Sequence, residues 1–151
     1  MIIDILNVVL PLFYAGTVWL YAMAFFSDSS FARKVKTPLL LATVVAHAGY
    51  LLFRTITFHH PPITTISEIM SLIAFSVAVA YTVTESLTKA KNTGYFILIL
   101  AFFFQMASSL FIQDLKEVNP VLRSNLLGIH VSAALLGYTA ITISAGYGFL
   151  Y

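Results

Sequence analysis

Five long apolar runs, separated by short polar clusters, organise this chain of 151 residues. The runs cover about residues 5–26, 38–58, 66–84, 94–112 and 125–151. Each reaches the roughly 20 residues that a helix needs to cross a hydrocarbon core about 30 Å thick. They are continuously apolar rather than alternating, which predicts helices and not the strands of a barrel. The expected fold is therefore an all-α integral membrane bundle of five helices, one transmembrane domain over residues 1–151. Pro38 suits the first turn of the second helix, where a missing N–H costs nothing. Pro11 lies inside the first run and is expected to kink it or mark its frayed start. That run is too long, and too poor in flanking positive charge, for a cleavable signal peptide.

Composition agrees with the pattern. Hydrophobic residues make up 60% and charged residues 9%, against about 25% charged in a soluble domain. A soluble globular domain and a disordered tail are excluded. A net charge of +2, scattered along the chain, gives no footprint for nucleic acid. Without cysteine the chain has no disulfide, thiolate nucleophile or cysteine-anchored haem. Basic residues set the expected orientation. Arg33, Lys34 and Lys36 lie in the first link and Lys89 and Lys91 in the third, against Arg54, Lys116 and Arg123 on the other side. The positive-inside rule then places the N-terminus outside and Tyr151 inside.

Two segments are thus expected outside. One is His59-His60-Pro61-Pro62, leading to Thr64, Thr65 and Glu68; the other is Gln113–Ser124, with Asn119-Pro120 as a turn signal. The second has the length to lie as a short amphipathic segment on the outer face. His59 and His60 read as solvent-edge loop residues.

Polar side chains inside the runs are costly and raise the question of function. His47 falls mid-way along the second run and His130 near the start of the fifth. A neutral imidazole is a natural ligand for haem iron; equally, it can hydrogen-bond a neighbouring helix and hold the bundle together. At 1.5 Å per residue, His47 lies about 16 Å and His130 about 8 Å below the outer edge of its span. Two sites at different depths are expected rather than one haem held between the two rings. Glu68 suits the third position of a capping box with Thr65 as N-cap, and as an intramembrane acid it also invites a proton-relay reading. Arg54 can pair with it or snorkel to headgroups. In the fifth run Gly128 and Ser132, Ala133 and Gly137, and Ala140, Ser144 and Gly148 recur at four-residue spacing, allowing close approach of a neighbouring helix or a flat macrocycle. The fourth run, with Phe102-Phe103-Phe104, is greasy all round and expected to face lipid or a partner. Its exception, Gln105, can hydrogen-bond across helices.

Two segments together resemble a known family. Arg54 followed by His60-Pro61-Pro62-Ile63-Thr64-Thr65-Ile66-Ser67-Glu68-Ile69-Met70 is similar to the arginine and H-x-P-L-S-N-x-Y-E-S-L of CcsA/ResC-type cytochrome c assembly proteins. Gly128-Ile129-His130-Val131-Ser132, continuing to Leu136-Gly137-Tyr138, resembles that family's later H-V-S-x-x-x-L-G-Y segment. The family's W-G-x-x-W-x-W-D segment has no counterpart, and the single tryptophan is Trp19. HemX-like relatives share the superfamily. The resemblance implies a multi-pass protein of the cytoplasmic (inner) membrane that moves haem b outward with a ResB/CcsB-type partner. It would present the haem to an apocytochrome c C-x-x-C-H motif. It implies His130 as an external axial ligand of the iron and His47 as the best candidate for a deeper one. It also implies either the N-terminal part of a longer protein or a reduced relative whose missing half comes from another subunit.

The chain itself carries no nucleophile or acid–base constellation, so whether it is an enzyme stays open. The alternative is a structural or haem b-carrying membrane subunit of a respiratory complex. A permanent redox haem of that kind calls for two histidines at matched depth. A small transporter is a third reading, and calls for broken helices and midplane charge.

Overall fold

The computed structural model describes residues 2–88, 93–114 and 118–150. All five runs are helical: α1 is Ile2–Phe26, α2 Ser30–Phe58, α3 Ile66–Thr88, α4 Gly94–Phe111 and α5 Asn125–Leu150. Each is long and apolar enough to span a membrane, so the chain is a multi-pass membrane protein. In lipid the backbone must satisfy its own hydrogen bonds, and a run of this length does so only as a helix.

The helix ends follow local chemistry. Ser29 caps α2, its hydroxyl accepting from the Ala32 N–H at 3.4 Å. The helix therefore begins about two turns before Pro38, which sits inside α2 rather than in its first turn. The polar turns around Arg33 and Lys34 are helix, not link. α2 stops at His59, whose left-handed φ of 56° closes the C-terminus. α1 runs through Pro11 as one helix. Before α5, the connector forms a short 3₁₀ turn, Pro120–Arg123, capped by the Asn119 side chain on the Val121 N–H at 3.0 Å. Lys89, Lys91, Lys116, Glu117 and Tyr151, which enter the charge balance or the last span, lie outside the described residues.

Helices α1–α4 form a bundle in which α1 packs on α2 and α4, and α3 on α4; α5 lies on the outside, against α3. Each bundle helix turns one stripe inward at helical spacing. In α1 the stripe is Leu10, Tyr14, Thr17, Tyr21 and Ala24. In α2 it includes Lys36, Leu40, Thr43, His47, Tyr50 and Arg54. In α4 it is Gly94, Leu98, Ala101, Gln105 and Ser108. The fourth run is thus not greasy all round: a small and polar stripe lies inside, and Phe103 points outward. Leu12, Trp19, Val45 and Leu52 likewise face away from the protein. This distribution suits a lipid solvent, in which polar atoms gain by facing inward.

Candidate functional site

The polar interior falls into three levels along the bundle. At mid-height His47 is fully buried. Its Nδ1 lies 2.8 Å from the Tyr14 hydroxyl of α1, and its Nε2 lies 3.0 Å from the Ser71 hydroxyl of α3. Ser71 donates onward to Gln105 Oε1 of α4 at 2.9 Å, and Gln105 Nε2 donates to Ser109 Oγ at 3.0 Å. One imidazole therefore joins all four bundle helices. The rings of Tyr14 and Phe75 stand edge-on to it, at 5.6 and 5.3 Å between centroids. A second bridge lies beside this level: Tyr50 donates to Asn7 Oδ1 at 3.2 Å, and Asn7 Nδ2 to the Ser109 carbonyl at 3.1 Å.

Toward the His60 end, Arg54 and Glu68 are both buried and form an ion pair at 3.1 Å. The other arm of the guanidinium reaches the half-exposed Asp114 at 3.0 Å, which ties the α4–α5 connector to the bundle. The Phe58 ring lies 4.7 Å from the guanidinium carbon, a cation–π contact. Arg54 pairs rather than snorkels. Glu68 acts at the head of α3 much as expected: Thr65 Oγ1 accepts from the Glu68 N–H at 3.1 Å. Its carboxylate, however, accepts from the backbone N–H and hydroxyl of Thr64, at 2.9 and 2.6 Å. The capping box is shifted by one residue, because the opposite oxygen is held by Arg54.

His60 departs from its expected place at the solvent edge. The left-handed turn at His59 folds the next residues back, and His60 is buried, its Nδ1 3.0 Å from the Pro61 carbonyl. Pro61 in turn seats α5. A Cβ placed on Gly128 would lie 2.5 Å from the Pro61 Cβ, so only glycine permits this approach.

At the opposite end Lys36 and Glu85 are both buried, 3.9 Å apart. Glu85 accepts from the Tyr21 hydroxyl and, at 3.0 Å, from Thr37 Oγ1. The Lys36 ammonium sits 4.5 Å from the centre of the Tyr21 ring. Lys36, expected in a solvated basic link, is thus an internal residue neutralised by a partner. The start of α4 closes this end, with Gly94 against Tyr21 and Tyr81 where no larger residue fits. Lys36 and Arg54 are 18 residues apart on α2, about 27 Å of helix. The two ion pairs therefore stand about one hydrocarbon thickness apart.

His130 is differently placed. It projects from the exposed side of α5, and its ring has no hydrogen-bond partner among the described residues. Val121, Ser124, Leu126 and Leu127 border a recess of about 510 Å³ beside it. A second, apolar cleft of about 300 Å³ separates α2 from α5, with Leu51, Phe75 and Leu136 in its walls.

The two histidines do not share a site. His130 fits an axial ligand, because its imidazole is free and open to the surroundings. His47 does not present a free nitrogen: ligating iron there requires Tyr14 or Ser71 to let go. No group of three or more histidines, cysteines or acids gathers to hold a metal ion among the described residues. Of the stripe in α5, Gly128 makes a close approach to the loop residue Pro61 rather than to a neighbouring helix, whereas Gly137 has open space where a side chain would be. Sequence reasoning missed Lys36, Glu85, Tyr14, Tyr21 and Ser71. Their signal was present as the three- and four-residue spacing of Tyr14, Thr17 and Tyr21, and of Lys36, Thr43, His47 and Arg54. The chain matches no family model, no curated protein and no solved structure, so the reading of the site rests on its own residues.

Proposed function

We propose that the chain handles haem b in the cytoplasmic membrane for cytochrome c maturation, offering His130 as an axial ligand at the outward end of α5. The observation that carries this reading is the free, exposed imidazole of His130, in a segment that resembles the histidine-bearing segment of CcsA-type proteins. When bound, haem supplies the iron that an imidazole ligates and the vinyl groups that apocytochrome thiols add to. The chain has no cysteine, so those thiols belong to the apocytochrome, and the chain acts by positioning. A ResB/CcsB-type partner completes the reading.

Within it, Pro61 and Gly128 fix the height of α5, and with it that of His130. The Arg54–Asp114 pair anchors the connector that leads into the recess. His47 serves from inside the bundle, by holding four helices in register. The alternative subunit with a permanent redox haem is less favoured, because the residues bordering the recess beside His130 include no second histidine.

The test is a reduced-minus-oxidised and pyridine-haemochrome spectrum of the purified chain, alone and with added haemin, beside His130→Ala. A b-type signal in the wild type that His130→Ala loses or shifts supports the reading. A chain that stays colourless with haemin, or a signal indifferent to His130, overturns it.

A further inference from the structure

A file of proton-exchanging side chains runs the length of the bundle between the two buried carboxylates. Glu68 stands at one end, with Ser71 one turn along α3. Ser71 reaches His47 Nε2 at 3.0 Å, and Tyr14 reaches Nδ1 at 2.8 Å. One turn along α1 from Tyr14 is Thr17, which meets Thr43 at 2.9 Å. One further turn brings Tyr21, which donates to Glu85 at the other end. All of these groups are buried. The three steps not closed by a hydrogen bond are single helical turns, an axial rise of about 5 to 6 Å, and the path proposed below takes a bridging water at each of them.

A bundle held together by polar contacts requires only that each polar atom be paired. This file has a further property. Each member can both give and take a proton, while the amides Asn7 and Gln105 stand beside the file and not in it. The hydroxyls flanking His47 also have a second acceptor. Tyr14 can turn to the Ala74 carbonyl at 3.3 Å, and Ser71 donates to Gln105 at 2.9 Å. The donor direction through His47 can therefore reverse with no heavy atom displaced. Ionisable residues inside a membrane are costly, and chains of acids and histidines are a common form of proton relay.

We propose that this file is a proton path across the membrane, from Glu68 to Glu85, with His47 as its central carrier. The ion is a proton, supplied by water at one end and accepted by water at the other. At His47 a proton adds to one ring nitrogen and the proton on the other leaves, so the imidazole ends neutral and no other bond changes. The groups facing the ring are Tyr14 of α1, Tyr50 of α2, and Ser71 and Phe75 of α3, with Gln105 of α4 behind Ser71. None is a carboxylate, so an imidazolium there lacks a counter-ion and is short-lived. His47 passes a proton on and does not store it. Arg54 and Lys36 hold the terminal carboxylates at the two ends. The path is independent of haem and of His130.

The test uses the haem-free chain in proteoliposomes with a trapped pH dye and a potassium diffusion potential set by valinomycin. Wild-type vesicles should acidify faster than protein-free ones. His47→Phe should cut the protein-dependent rate about 100-fold, the low end of what removal of an acid–base group costs, which here means the protein-free level. Tyr50→Phe removes a hydroxyl of the same core but off the file, and should keep the rate. If His47→Phe does not fold, as judged by a monodisperse elution peak and helical circular dichroism, Tyr14→Phe and Ser71→Ala carry the same prediction. Wild-type vesicles no faster than protein-free ones, or flux that survives the loss of His47, overturn the proposal.

Discussion

The bundle α1–α4 and helix α5 are built from the same apolar alphabet, yet among the described residues only the bundle carries polar bonds from helix to helix. In the bundle, tyrosine, histidine and the two buried ion pairs bond from helix to helix, while Thr17, Thr43 and Ser76 also return their hydroxyls to their own helices. In α5, Ser132 and Thr142 return their hydroxyls to their own helix, at 2.8 Å to the Gly128 and Tyr138 carbonyls, and His130 faces out. The two parts are held in place by different forces. A lipid solvent gives little drive for apolar surfaces to associate, so helices that must stay together need polar contacts or close packing. α1–α4 use the first, and α5 uses the second, with Leu127, Val131 and Leu135 against the core and Gly128 close on Pro61. That leaves one face of α5, His130 included, without a partner among the described residues.

The sharpest way to break this contrast is at the ion pair. Arg54→Leu leaves Glu68 as a buried, unpaired carboxylate and should cost about 3–5 kcal/mol, read as lost resistance to SDS-induced unfolding. An unchanged midpoint would mean that the bundle end is wet and the pair ornamental. Next, a leucine at Gly128 collides with Pro61 and should cost about 1–3 kcal/mol as overpacking. It should also move α5, which a spin-label distance between α3 and α5 reports. Tyr14→Phe removes one hydrogen bond from His47 and should cost about 1–2 kcal/mol with the fold retained.

His130→Ala should change stability by less than about 0.5 kcal/mol, as for a surface site, and under the proposed function it should abolish the haem signal. A stability loss as large as that of Tyr14→Phe would show that α5 is held by its histidine after all. The smallest effect belongs to Gly137→Ala, which meets open space and should be silent in every assay. A measurable change there would reveal a neighbour seated on that face.

The legibility of the molecule follows the same division. The five spans were readable because hydrocarbon forces a run of about 20 apolar residues into a helix whatever its neighbours do. Their ends were less so. α2 begins at Ser30 and not at Pro38 because Ser29 caps it, and a serine among other polar residues gives no strong signal. The Arg54–Glu68 pair was foreseeable as one option, since both residues lie near the same end of adjacent spans. The fate of Lys36 was not. In sequence it belongs to a basic cluster with Arg33 and Lys34, and only the rotation of α2 distinguishes the lysine that faces Glu85 from those that face away. His60 and His59 are adjacent, yet one left-handed residue buries one and leaves the other exposed.

The sequence by itself determined the solvent of this protein, the number of its helices and the chemical types available inside them. Those follow from transfer free energies, which each residue carries regardless of its partners. The tertiary structure decided which polar atoms meet. It spends both nitrogens of His47 inside the bundle and leaves His130 free, and it sets Glu68 and Glu85 at opposite ends of one polar interior. Hydrogen bonds are short and directional, so their pairing depends on how four helices are rotated and stacked. Two imidazoles alike in the sequence thereby acquire opposite surroundings.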